Sequence, residues 1–205
     1  MAAFKWTGGG GDGNWGNPLN WNKSPPAVPG PNDTATIPDN EGMITLSGDE
    51  SVKSISLGAN DTLSLPSGTL TTAGGIKLGA GSTLGGSGTI QNSGAISGSG
   101  TLVSLDGLLT VTGNISSGVT IWVGTGTTLA LDGKTTASTP ITFYGAGTLD
   151  VGGKLTIDAS QTIANGQTIS VSGTLTDASG ITVDPGGSLG GCRDPGEPGL
   201  RAGRL

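Results

Sequence analysis

Aliphatic residues recur along the middle of this chain at a step of six: Leu78, Leu84, Ile90, Ile96, Leu102 and Leu108. The step returns at Ile157, Ile163, Ile169, Leu175 and Ile181, and Leu149 and Leu155 stand out of phase ahead of it. An amphipathic helix asks for apolar residues three and four apart, so helices are not expected here. Around these positions lie apolar pairs separated by one residue, among them Leu63/Leu65, Ile76/Leu78, Leu109/Val111, Val119/Ile121, Leu129/Leu131, Leu155/Ile157, Ile169/Val171 and Ile181/Val183. Alternation of period two marks a strand with one buried side. Between the strands, Gly79-Ala80-Gly81, Gly85-Gly86-Ser87-Gly88 and Gly186-Gly187 supply sharp turns.

Strands this short are not stable alone. Stacked copies hydrogen-bond to the coils above and below while their Leu and Ile ladders fill a narrow core. The pattern therefore predicts an all-β, single-stranded parallel β-helix, or β-solenoid. Three six-residue steps make a triangular coil of roughly 18 residues, lengthening to about 20 or more where loops intrude, with roughly seven coils in all. The shifts in register and the variable residue after each aliphatic favour a right-handed coil. The competing arrangement is an antiparallel sandwich joined by hairpins.

Three zones follow. Residues 1–40 read as a Trp/Gly-rich N-terminal capping segment, 41–190 as the solenoid, and 191–205 as an irregular tail, either a linker or foreign sequence. The tail carries Pro195, Pro198 and all three arginines, Arg193, Arg201 and Arg204, and has no alternation. Another coil, or a second copy end to end, would suit the end near Gly191.

Composition narrows the function. The 205 residues include 41 glycines, 3% aromatics, 12% charged residues and no histidine, against roughly a quarter charged in an ordinary globular domain. Simple disorder is disfavoured too, because neutral Gly, Ser and Thr stand where a disordered chain carries net charge. A net charge of −6 argues against nucleic acid or an anionic membrane surface as partner. No run approaches the roughly 18 apolar residues of a membrane span, and the first residues lack the pattern of an export signal. Cys192 has no second cysteine to pair with.

The phrases Gly81-Ser-Thr-Leu-Gly-Gly-Ser-Gly-Thr-Ile90, Gly98-Ser-Gly-Thr-Leu102, Gly147-Thr-Leu149, Gly173-Thr-Leu175 and Val183-Asp-Pro-Gly-Gly-Ser-Leu-Gly-Gly191 resemble autotransporter passenger repeats and the related haemagglutinin-like exoproteins. The head, with Trp6-Thr-Gly-Gly-Gly-Gly-Asp-Gly-Asn-Trp15, Asn17-Pro-Leu-Asn-Trp21 and Val28-Pro-Gly-Pro-Asn-Asp-Thr-Ala-Thr-Ile37, is similar to the segment that opens such repeats in large exoproteins. The resemblance implies a bacterial surface or secreted location and a right-handed β-helix. It implies a structural or adhesive role whose partner is a surface glycan or a cell-surface receptor. It names no catalytic, cofactor or metal residue. The sequence holds no C-terminal translocator barrel, so self-transport is not implied.

Each candidate site has a plainer alternative. Trp6, Trp15 and Trp21 are either a sugar-stacking platform or the cover of the solenoid's apolar end, and their concentration in the head favours the cover. Gly8 to Asn14 resembles a calcium nonapeptide, but the pattern that would place Asp12 as ligand needs Gly where Thr7 stands, so a loop is expected. Asp106, Asp132, Asp150, Asp158, Asp177 and Asp184 are the body's carboxylates, and glycoside hydrolysis needs two of them paired. Their spacing shows no pair, Asp49-Glu50 being the only adjacent acids, and turns are their expected place. Lyase chemistry would need a base and cations, and the body offers only Lys53, Lys77, Lys134 and Lys154. Thr69, Thr83, Thr89, Thr101, Thr128, Thr148 and Thr174 precede the recurring aliphatics, and a flat ladder of them would suit ice or another ordered surface. The leading expectation is a structural or adhesive module without an enzymatic site; a carbohydrate-active enzyme and a surface-binding repeat protein are the alternatives.

Overall fold

The computed structural model of the chain describes residues 1–191. The expected tail, Cys192 included, thus lies outside the described residues except for Gly191. Among them the chain forms a parallel β-solenoid with a single short 3-10 turn, Pro18–Asn20. Its strand ladders are parallel, which removes the antiparallel sandwich.

Each coil presents three faces. Face one stacks Ala3–Lys5, Thr34–Thr36, Ser54–Leu57, Ile76–Leu78, Ala95–Gly98, Asn114–Ile115, Lys134–Ala137, Lys154–Ile157 and Thr174–Asp177, side by side in that order. Face two runs from Met43–Thr45 through Thr62–Leu65, 83–86, 101–104, Thr120–Val123, Thr142–Phe143 and Gln161–Ile163 to Ile181–Val183. Face three runs from Glu50–Val52 through Thr69–Thr72, 88–92, 108–111, Thr128–Leu131, Gly147–Val151 and Gln167–Val171 to Ser188–Gly191. The strands Thr83–Asn92 and Thr101–Val111 continue round the corner from face two to face three. Eight coils result, after the leading strand Ala3–Lys5. The first two rungs of face one belong to the head, so head and body share one sheet.

The coil is longer than three steps of six. Lys134 stands opposite Lys154 and Lys154 opposite Thr174, a repeat of 20 residues, and Thr128, Thr148 and Thr168 repeat likewise. The shortest step, Thr83 to Thr101, takes 18. Strands of three to five residues need corners between them, and the corner length sets the coil. Hence the first six-step run holds through Leu102 and breaks at Leu108, while the later run from Ile157 to Ile181 stays on the inward side. Asp106 and Gly107 take positive φ values of 58° and 141° at the next corner, the register shifts between Ser104 and Leu109, and Leu109 enters the core. Leu108 stays 53% exposed.

The interior is a continuous column of Leu, Ile and Val from Ile37 to Ile169. Two pairs of polar side chains enter it. Thr72 and Asn92, on neighbouring rungs, bond at 2.7 Å, and the Ser104 and Thr127 hydroxyls meet at 2.7 Å. On face two, where no ladder joins Thr142–Phe143 to the following strand, Gln161 takes the backbone's part. Its Oε1 accepts from Ile141 N at 2.7 Å and its Nε2 donates to Ile141 O at 3.1 Å.

Candidate functional site

The coils leave three outward faces, and the candidate residues fall on them as follows. Trp6, Trp15 and Trp21 are buried at 2%, 0% and 3% exposure, so they offer no platform to a sugar. They form an aromatic cap over the first coils. Trp21 meets Phe4, Trp6 and Trp15 edge-on, with centroids 6.1, 5.1 and 4.7 Å away. Asp12 organises the loop beneath this cap. Its Oδ1 accepts from Asn14 N at 3.0 Å and from Asn20 Nδ2 at 2.7 Å, while its Oδ2 accepts from Asn17 Nδ2 at 2.9 Å. Those hydrogen bonds hold its carboxyl below the usual value.

The body carboxylates are dispersed. Asp132, Asp158 and Asp184 occupy corners, Asp106 sits in the shifted corner between faces two and three, and Asp150 points out from face three. Asp177 ends a face-one strand and accepts from Ser179 N and Gly180 N, both at 2.7 Å. The turn positions follow from the short reach of Asp, which satisfies backbone N–H groups two or three residues on. No cluster of three metal-ligating side chains occurs among the described residues.

The seven threonines do not form one ladder. Thr83 and Thr101 lie on face two, Thr69, Thr89, Thr128 and Thr148 on face three, and Thr174 on face one. Even on face three, the column beside Thr128, Thr148 and Thr168 reads Ala130, Asp150 and Ser170, so no second rank of threonines adjoins it.

A surface feature that linear reading misses is aromatic. Trp122 on face two and Tyr144 one coil later meet edge-on at 5.0 Å, with Tyr144 51% and Leu105 43% exposed. The coil length that joins Trp122 to Tyr144 is not evident until the 20-residue repeat is known. No sequence signal pairs them.

Face one differs in charge. Its outward column from Lys5 continues through Thr36, Ser56, Lys77 and Ser97, and Thr136 and Thr156 carry it further. The parallel outward column holds Thr34, Ser54, Asn114, Lys134, Lys154 and Thr174. Lys53 leads into the Ser54–Leu57 strand, and Lys23 lies against Phe4 of the first rung, 4.7 Å from the ring centroid. No carboxylate occupies an outward strand position of this face.

Comparison with known families adds the decisive observation: two overlapping stretches, residues 41–118 and 106–181, match the haemagglutinin repeat. The chain belongs to the haemagglutinin repeat family. The two matches together span most of the solenoid, and haemagglutinin-like β-helix repeats are what the coils are. No curated protein and no solved structure matches the chain. The haemagglutinin repeat is an adhesin-type family of exoprotein modules, and this chain falls in its class of adhesive or structural modules.

Proposed function

We propose that this haemagglutinin-repeat solenoid is a rigid adhesive spacer of a secreted or surface-displayed bacterial exoprotein. The observation that carries the reading is the eight-coil parallel stack within a haemagglutinin repeat. At about 4.8 Å per rung, such a stack holds outward side chains in fixed columns along one axis. Repeat stacks offer extended surfaces of this kind for binding.

The test is attachment. Beads coated with the purified chain are expected to bind bacterial or host cells, or glycans immobilised on an array, above beads coated with an unrelated acidic protein. Equal attachment of both bead sets would remove the adhesive part of the reading.

A further inference from the structure

The chain carries six lysines and a net charge of −6, yet the coil gathers all six lysines on or at the margin of face one. Lys5, Lys77, Lys134 and Lys154 point outward from its strands, and all four are exposed. Counting rungs from the first strand, Lys5 is on rung zero, Lys77 on the third, Lys134 on the sixth and Lys154 on the seventh. Positive charge therefore recurs about every 14 Å along the axis, closing to about 5 Å at the last pair. Between the lysines the outward positions are mostly hydroxyls: Thr34, Thr36, Ser54, Ser56, Ser97, Ser116 and Thr136.

The relief of the face agrees with its charge. Two shallow depressions open on it, one bordered by Thr36, Ser56 and Lys77, the other by Asn114, Ser116, Lys134 and Thr136. Asp39 lies on the rim of the first, where its Oδ1 is occupied by Ala59 N at 2.7 Å.

We infer that face one docks an acidic polysaccharide lying along the solenoid axis, its spaced anionic groups on Lys5, Lys77, Lys134 and Lys154 and its hydroxyls on the Ser/Thr columns between. The charge pattern selects this occupant. Duplex DNA presents a charge about every 1.7 Å and is bound through dense basic contacts. Four lysines spread from the first rung to the seventh after it on an acidic protein do not supply those. A neutral glycan leaves the lysines without a purpose. A polymer with hydroxyls throughout and a carboxylate at intervals matches both kinds of position, and lysine, a compact charge with three donors, suits a singly charged group. The inference rests on the adhesive reading for its context and deepens it by naming the face and the ligand class.

Affinity electrophoresis in native gels cast with polygalacturonate tests it, using the wild-type chain, the triple variant Lys77→Gln/Lys134→Gln/Lys154→Gln and a face-three variant Thr128→Val/Thr148→Val/Thr168→Val. Surface changes of the first kind leave the fold intact, which circular dichroism verifies. Wild type and the face-three variant are expected to be retarded and the lysine variant to bind about tenfold more weakly. Retardation should fade with added salt and be absent in dextran gels. Unretarded wild type, or a lysine variant retarded as strongly as wild type, overturns the inference, and so does equal retardation by duplex DNA. The bead assay separates the two claims. Wild-type beads that attach to cells while the chain ignores polygalacturonate sink this inference alone. Retardation with no bead attachment sinks the adhesive reading alone.

Discussion

Trp21 donates its indole N–H to the backbone carbonyl of Trp15 at 2.9 Å while the two rings meet edge-on at 4.7 Å. One side chain thereby ties the two ends of the head's loop, and it also lies at the centre of the aromatic group that covers the first coils. A solenoid core is apolar to its last rung, so an uncovered end would expose it to water.

Trp21→Ala should therefore cost about 3–5 kcal/mol, the usual loss for a fully buried aromatic, and unfolding should begin at the head. Trp21→Phe keeps most of the apolar contact and loses the hydrogen bond, so a loss of about 1–3 kcal/mol is expected. Urea unfolding monitored by amide hydrogen exchange distinguishes the variants and places the first opening. Equal protection of the first and middle coils in Trp21→Ala would contradict the capping role.

Leu108 and Leu109 test the register. The regular step of six designates Leu108 as core, whereas the structure buries Leu109 and leaves Leu108 exposed. Leu109→Ala should cost about 2–5 kcal/mol and Leu108→Ala less than about 0.5 kcal/mol. Reversed values in chemical denaturation would put the six-step back in place of the shifted corner.

The same pair shows where the sequence is legible and where it is not. Alternation names nearly every inward residue, because a strand buried on one side admits no other pattern. The solenoid and the parallel stacking follow from that, and the aromatic cap from the concentration of Trp6, Trp15 and Trp21 in the head. Corners have no such rule. Their length varies, and at Asp106-Gly107 the corner runs three residues longer than in the coil before, so that Leu109 pairs with Gly88 and takes the inward place that the six-step assigns to Leu108. Since corner length also fixes which coils stand side by side, the columns of face one and the Trp122–Tyr144 contact are invisible until the register is known. The buried surrogate Gln161 is illegible for a related reason: a polar residue in a strand pattern reads as outward, and only the gap in the ladder beside Ile141 explains its inward place.

Corner glycines should be intolerant where coils touch. A Cβ on Gly153 would run into the carbonyl oxygens of Gly133 and Asp132 in the coil before, and Gly173 stands in the same relation to Gly153. Backbone carbonyls held in a ladder cannot yield as a flexible side chain can. Gly153→Ala is expected to destabilise by about 1–3 kcal/mol, while Gly48→Ala, at an open site with ordinary φ, should be close to neutral. Thermal unfolding followed by circular dichroism compares them directly.

Acid should loosen the head. The bonds from Asn14, Asn17 and Asn20 keep the Asp12 carboxyl below its usual value of 3.8. A depressed folded value means the stabilisation is complete above the ordinary carboxylate range and is lost as pH falls through the depressed one. In a Trp122→Phe/Glu50→Gln background, which removes the titrating carboxyl beside Trp15, the fluorescence of the head tryptophans should stay constant from neutrality to about pH 4 and change below it. Asp12→Asn should show the loosened signal already at neutral pH and a smaller acid transition, the remainder belonging to Asp33, whose carboxyl is lowered by bonds from Ala2 N and Gly30 N; a wild-type profile in that variant would deny Asp12 its organising part.

Glu50 has the opposite sign. Burial beside the cap pushes its carboxyl above the usual 4.5, offset in part by the neighbouring Trp15 indole N–H. That N–H itself makes no well-formed hydrogen bond. A raised folded value favours the protonated form in the folded chain. Its contribution is therefore fully present below the unfolded value and is lost as pH rises through the folded one. At neutral pH the ionised group is a cost, which Glu50→Gln removes while leaving an amide oxygen able to accept from the indole. The variant should unfold at higher urea than wild type at pH 7 and at the same urea at pH 3.5. An advantage of equal size at both pH values would assign it to packing instead of charge.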